Sequence, residues 1–161
     1  MEQGNSGHQP SAKAMRHHYM MLAINLAISL VIMYVAMFSM IYSWGEFIQN
    51  INFFYMALVM WAPMAAVMLL TMKSMYANAR LNAVLYGVFA LVFGLSLIGI
   101  RAQALVGDRA FLRSMIPHHS GAVLMCERAK IQDAEIVTLC GQIIKSQTEE
   151  IDQMKGILAR K

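Results

Sequence analysis

The sequence predicts an all-α protein, three transmembrane helices followed by a two-helix antiparallel hairpin. Three observations predict it. Uncharged apolar stretches long enough to cross a bilayer recur three times before Arg101. Charged residues gather at and beyond Arg101, where apolar residues recur with a helical period. The chain is 58% apolar and 14% charged, against ~45–50% and ~25% in ordinary soluble domains. The formal charge of +4 is scattered, with no Lys/Arg run and no aromatic-interleaved basic patch. That excludes nucleic acid as a partner.

Residues 1–18 are polar, carry Gly4, Gly7, Pro10 and Ser11, and show no apolar periodicity. They are expected to form a disordered cytoplasmic tail. Its end, Lys13, Arg16, His17 and His18, reads as the basic edge of a membrane helix rather than a metal-gathering segment.

Residues 19–42 contain no charge and form the first span. A cleaved signal peptide would be shorter and would end in a small-x-small site, which Ala36-Met37-Phe38-Ser39 does not match. Asn25, the strongly polar residue inside this span, is expected to bond a neighbouring helix. The following loop holds Glu46 and no Lys or Arg.

Residues 53–72 form the second span, with Pro63 as an expected kink. A short basic turn with Lys73 and Arg80 leads to the third span, residues 81–100. Ala83, Gly87, Ala90 and Gly94 place a small-residue stripe along it, the kind that lets helix backbones approach closely. Basic residues at the N-terminal tail and the second loop place the N-terminus in the cytoplasm and residues 101–161 outside. Arg101, Arg109 and Arg113 argue the other way.

The sixteen methionines are the compositional anomaly. Met56, Met60, Met64, Met68 and Met72 recur every four residues down the second span; Met33, Met37 and Met40 do much the same in the first. Such a ladder winds slowly round its helix, since each step advances ~40° past a full turn. Either it relays a soft metal ion or it fills helix–helix gaps. No intramembrane charge, His or Cys accompanies it, and that favours packing.

Residues 101–161 read as a metal-binding helical hairpin. Asp108 is the expected N-cap of its first helix. Asp133 caps the second helix and Glu135 follows in its first turn. So short a connection makes the helices antiparallel. Folding the chain about residue 132 or 133 sets His118 and His119 near Gln147, Met115 near Glu150 or Ile151, and Cys126 opposite Cys140. Outside the cell these cysteines would form a disulfide; inside, they would be free thiols able to join a metal.

The run Met115-Ile116-Pro117-His118-His119, with Met125 and Cys126 following, concentrates imidazole and sulfur in twelve residues. Adjacent histidines on a helix point ~100° apart, so one faces the partner helix while the other flanks it. His118, His119 and Met115 are the first candidate ligands, with Met125, Glu150 and Met154 in support. Nitrogen and thioether donors suit Cu(I) or Ag(I), and the imidazoles alone would also serve Cu(II) or Zn(II). The competing reading is that the histidines only pack. A di-iron site would need Glu-x-x-His on facing helices, which is missing.

Asp108, Phe111, Met115 to His119, Ala122, Met125, Ile144, Gln147, Glu150-Ile151 and Met154 together resemble the bacterial DUF305 family. The resemblance covers about the last third of the chain. It implies a periplasmic or membrane-anchored protein, and some members bind copper and support copper tolerance through His and Met. Longer members are similar to a ferritin-like four-helix bundle made of two such hairpins. This chain has one copy, and Ile157 stands where many members carry Trp. The single copy implies a homodimer that completes the bundle, since a lone two-helix hairpin buries too little to be stable.

The function expected is membrane-anchored copper or silver binding for metal tolerance or delivery, with the bilayer and other metal-handling proteins as partners and the bacterial inner membrane as location. Oligomeric metal transport along the methionine ladder and a metal-free structural role are the alternatives. No nucleophile–base pair or other catalytic signature is present, so the protein is not expected to be an enzyme.

Overall fold

The computed structural model describes residues 12–161. Among them the chain is helical throughout, with no strand. Helix α1 (Ala12–Ala36) runs into a 3-10 helical turn, Met37–Met40. A second such turn, Trp44–Glu46, precedes α2 (Ile51–Thr71) and α3 (Ala79–Ala102). The hairpin is α4 (Asp108–Arg128) and α5 (Ala134–Arg160).

Helix α2 packs against both α1 and α3. All three are long and apolar enough to cross a membrane. Leu22 and Leu26 of α1, Ala62, Ala65 and Leu69 of α2, and Phe89 of α3 form the shared core. The alanines let the flanking helices approach, and the outward sides keep large apolar residues such as Val31, Ile32, Leu91 and Ile98 exposed. In water that surface would be a liability; in lipid it is the expected exterior. Asn50 and Asn78 cap α2 and α3, accepting from the amides of Phe53 at 2.8 Å and Leu81 at 3.0 Å.

At one end of the bundle the Tyr19 hydroxyl donates to Asn82 Oδ1 at 2.7 Å, and His18 Nδ1 lies 3.1 Å from the Met75 carbonyl. These contacts tie the start of α1 to the α2–α3 turn. They also mark a difference from expectation. Residues 12–18 were expected to be disordered, yet they continue α1, with His18 beside the Met75 carbonyl. The rest of that expected tail, residues 1–11, lies outside the described residues.

Other expectations change on the surface of the bundle. Residues 37–42, assigned to the first span, leave the α-helix. Asn25 does not bond a neighbouring helix; it is exposed, and its nearest partner is Ser29 at 3.5 Å. Leu22 and Leu26 occupy the contact with α2 instead. The small-residue stripe is not the packing face within the chain either. A Cβ built on Gly87 or Gly94 meets nothing within 4 Å. Close approach occurs on another side of α3, where a Cβ at Gly99 would meet the Tyr55 ring at 3.0 Å. Helix α2 runs unbroken through Pro63, as α4 does through Pro117.

The hairpin is tied at both ends. Cys126 and Cys140 form a disulfide near the turn, and Lys161 pairs with Asp108 at the far end, so the helices are antiparallel as expected. Asp133 caps α5, accepting from the amides of Glu135 at 2.9 Å and Ile136 at 3.1 Å. Asp108 is not the cap of α4. Gly107 holds that position, and the Asp108 carboxylate sits in the first turn, where Lys161 takes it and the helix dipole favours it. Leu112, Ile116, Val123, Ile151 and Met154 form the hairpin core, and Ile48 from the α1–α2 loop packs on it. The hairpin therefore does not stand alone on its stalk.

Candidate metal centre

The joint between bundle and hairpin is built on Glu46. Ser43 and Glu46 form a capping box around the Trp44–Glu46 turn, which fixes the carboxylate in place. Glu46 Oε2 accepts from the Ser120 hydroxyl at 2.5 Å and from the Ser43 amide at 3.0 Å. Lys155 of α5 reaches Oε1 at 3.2 Å. The Ser120 oxygen in turn accepts from the Tyr42 amide at 2.6 Å. Ser120 is fully buried and Glu46 nearly so. Burial pushes the Glu46 carboxyl up, but the Ser120, Lys155 and Ser43 donors together outweigh it and hold it below the ordinary carboxylate value.

Next to Ser120 in sequence, the two histidines turn to different sides of α4. Their ring centroids are 6.0 Å apart and their planes cross at 61°, as the ~100° step between adjacent helical residues requires.

His119 faces α5. Its Nδ1 lies 3.0 Å from Glu150 Oε2, with the imidazole side chain 12% exposed and the carboxylate 50% exposed. Nδ1 is a buried nitrogen without a hydrogen-bond partner, and Glu150 Oε2 is the carboxylate oxygen beside it. Burial lowers the His119 pKa from its ordinary value; Glu150 opposes that and His118 adds to it. Burial thus favours the neutral ring, the form that ligates metal, against the pull of Glu150. Met115 precedes His119 by one turn, and Met154 follows Glu150 by one turn. Met154 lies in the hairpin core and Met115 packs against it.

His118 faces the other way. It lines an apolar cleft of about 310 Å³ together with Met125 of α4 and with Met37 and Met40 of the turn after α1. The six candidate ligands therefore divide: Met115, His119 and Met154 lie toward the α4–α5 interior with the exposed Glu150 beside His119, and His118 and Met125 line the cleft toward the membrane bundle.

Among the described residues no three His, Cys, Asp or Glu side chains gather closely enough to hold a metal ion. The cysteines are bonded to each other and supply no thiolate. The methionine ladder of α2 does not stay on one side. Met56 and Met60 are exposed, while Met64, Met68 and Met72 pack against the bundle core.

Sequence reasoning missed the joint and half of the cleft. Glu46 was visible as the one acid between Glu2 and Asp108, a lone charge whose partner had to exist. Its partners Ser120 and Lys155 carry no local signal. Met37 and Met40 were visible only as part of a stripe.

Against known proteins, the model of the DUF305 family, described as a domain of unknown function, matches residues 97–160. An uncharacterized protein of Acanthamoeba polyphaga mimivirus is 32% identical over 116 residues, covering 71% of this chain and 74% of its own length. That similarity is longer than the hairpin and so reaches into the apolar bundle. No solved structure matches the chain.

Proposed function

This chain belongs to the DUF305 family, and from that starting point we propose that it is a membrane-anchored soft-metal binding protein. Its cargo is Cu(I) or Ag(I), and its role is metal tolerance or delivery. One observation carries the reading: the buried His119 Nδ1 has no hydrogen-bond partner, lies 3.0 Å from the Glu150 carboxylate and sits one helical turn from Met115. A buried polar atom without a partner costs stability unless something completes it. A soft ion would complete it. His119, Met115 and Met154 would hold the ion, and Glu150 would offset its charge. The reading involves binding and release and no catalytic step.

The arrangement of the ends supports a cytoplasmic N-terminus and a hairpin outside. Lys13, Arg16, Lys73 and Arg80 gather at the end where Tyr19 meets Asn82, and basic residues favour the cytoplasmic side. The Cys126–Cys140 bond fits an oxidising compartment. We place the protein in a bacterial-type inner membrane on that basis. Ile136, Val137 and Leu139 are exposed near the turn end of α5, apolar side chains that a second copy would cover in completing a ferritin-like bundle.

The test is titration of the full chain in detergent with Ag(I), Cu(I) and Zn(II), beside a His118→Ala, His119→Ala double variant. Tight binding of the monovalent ions only, lost in the variant, is the expected result. Weak and unselective binding that the variant shares would overturn the reading and leave the histidines as packing residues.

A further inference from the structure

We infer that the chain carries a second soft-metal site, at the seam between the first membrane helix and the hairpin. Its donors are His118 and Met125 of α4 and Met37 and Met40 of the turn after α1, and its ligand is a monovalent soft cation. The inference rests on the soft-metal reading above, but it assigns donors from the membrane region, which that reading does not use.

Two elements far apart in sequence bring these side chains together around one cleft of about 310 Å³, with Phe53 and Pro117 supplying apolar wall. The cleft is held by fixed contacts. A Cβ built on Gly121 would lie 3.5 Å from the Met40 carbonyl oxygen, ordinary van der Waals contact, so α4 packs beside the turn there. One residue earlier, Ser120 accepts from the Tyr42 amide at 2.6 Å and donates to Glu46. The turn and α4 are thus clamped immediately beside the candidate donors. Such support from neighbouring contacts is what a metal site needs to hold its geometry.

The donor set selects the charge of the ligand. Three thioethers and one imidazole line the cleft, and no carboxylate does. Glu150 is turned to the other side of α4, against His119. A divalent ion in an apolar cleft would keep its full charge uncompensated. A monovalent ion with soft character has the smaller desolvation cost and the matching ligands. The His118 imidazole makes no hydrogen bond among the described residues, and its ring is exposed, so it is free to swing onto an entering ion. The two cysteines, tied in their disulfide, do not compete.

The experiment is Ag(I) titration of the full, disulfide-intact chain in detergent, read as ions bound per chain. The variants are Met37→Leu with Met40→Leu, which conserves volume and removes sulfur, His118→Ala at an exposed position, and His119→Ala. The expected result is two Ag(I) per chain in the parent, one in the Met37/Met40 variant and in His118→Ala, and one in His119→Ala. Circular dichroism and gel filtration of each variant check that the fold is kept. If the parent and the Met37/Met40 variant bind the same number with the same affinity, the seam site is wrong while the hairpin reading survives. A single ion lost only with Met37/Met40 and His118 would keep the seam site and remove the one at His119. No binding by the parent would overturn both.

Discussion

The two sides of α4 are built on different principles. The side toward α5 is a hairpin core: Ile116, Val123, Ile151 and Met154 are buried, and His119 meets Glu150 beside them. The side toward the bundle has an apolar cleft, and its fixed point is a buried polar knot of Glu46, Ser120, Tyr42 and Lys155. The first kind of contact is local, between helices joined by a short turn, and a disulfide reinforces it. The second joins residues 74 apart in sequence. Stability and positioning are therefore separated: one side of α4 holds the hairpin together, and the other decides where it sits on the membrane bundle.

The largest expected effect lies on the first side. Ile116 is fully buried, so Ile116→Ala should cost about 2–5 kcal/mol. Thermal unfolding followed by circular dichroism in detergent would read it, and the loss should fall on α4 and α5 while α1 to α3 stay helical. A loss spread evenly over all five helices would mean that the two sides are not separable.

The joint comes next. Ser120→Ala leaves the Glu46 carboxylate and the Tyr42 amide each short of one partner, a cost of about 1–3 kcal/mol. The hairpin itself should keep its helicity and its disulfide. The change should appear as faster proteolysis of the 41–50 loop and the 103–107 connection. Unchanged cleavage there would show that the knot does not position the hairpin.

The joint also predicts a pH dependence. The Glu46 carboxyl is held below its ordinary value of 4.5. A carboxyl with a lowered folded pKa contributes stability that is present above the unfolded value and lost as pH falls through the folded one. Protection of the loop should thus be constant above about pH 5 and decline as pH drops below the ordinary carboxylate range. Glu46→Gln should remove that dependence. If the variant kept it, another group would have to carry the effect.

The bundle and the hairpin were legible in the sequence to different degrees for the same physical reason. Spans are set by composition over twenty residues, so the three apolar helices could be read directly, as could the Asp133 cap and the Cys126–Cys140 register. The small-residue stripe and Asn25 misled because an apolar helix offers no periodic contrast between its lipid face and its packing face. His118 and His119 could be marked as ligands but not divided, since the division depends on what each side of α4 meets. The Glu46–Ser120 contact had no signature beyond a solitary acid in an apolar half.

The smallest effect is expected at a position that belongs to neither side. Asp133→Ala removes the α5 cap and should cost about 1 kcal/mol, with no change in loop protection and none in metal binding. A larger loss in either would show that the turn end of the hairpin is coupled to the sites.

The central claim, that imidazole nitrogen and thioether sulfur together hold a soft ion on α4, is tested most directly by X-ray absorption at the copper edge on the Cu(I)-loaded full chain. The account predicts a first shell containing both sulfur and nitrogen, with the sulfur contribution falling when Met37 and Met40 become Leu and the nitrogen contribution falling in the His118→Ala, His119→Ala variant. A shell of nitrogen and oxygen alone, unchanged by either set of substitutions, would contradict it.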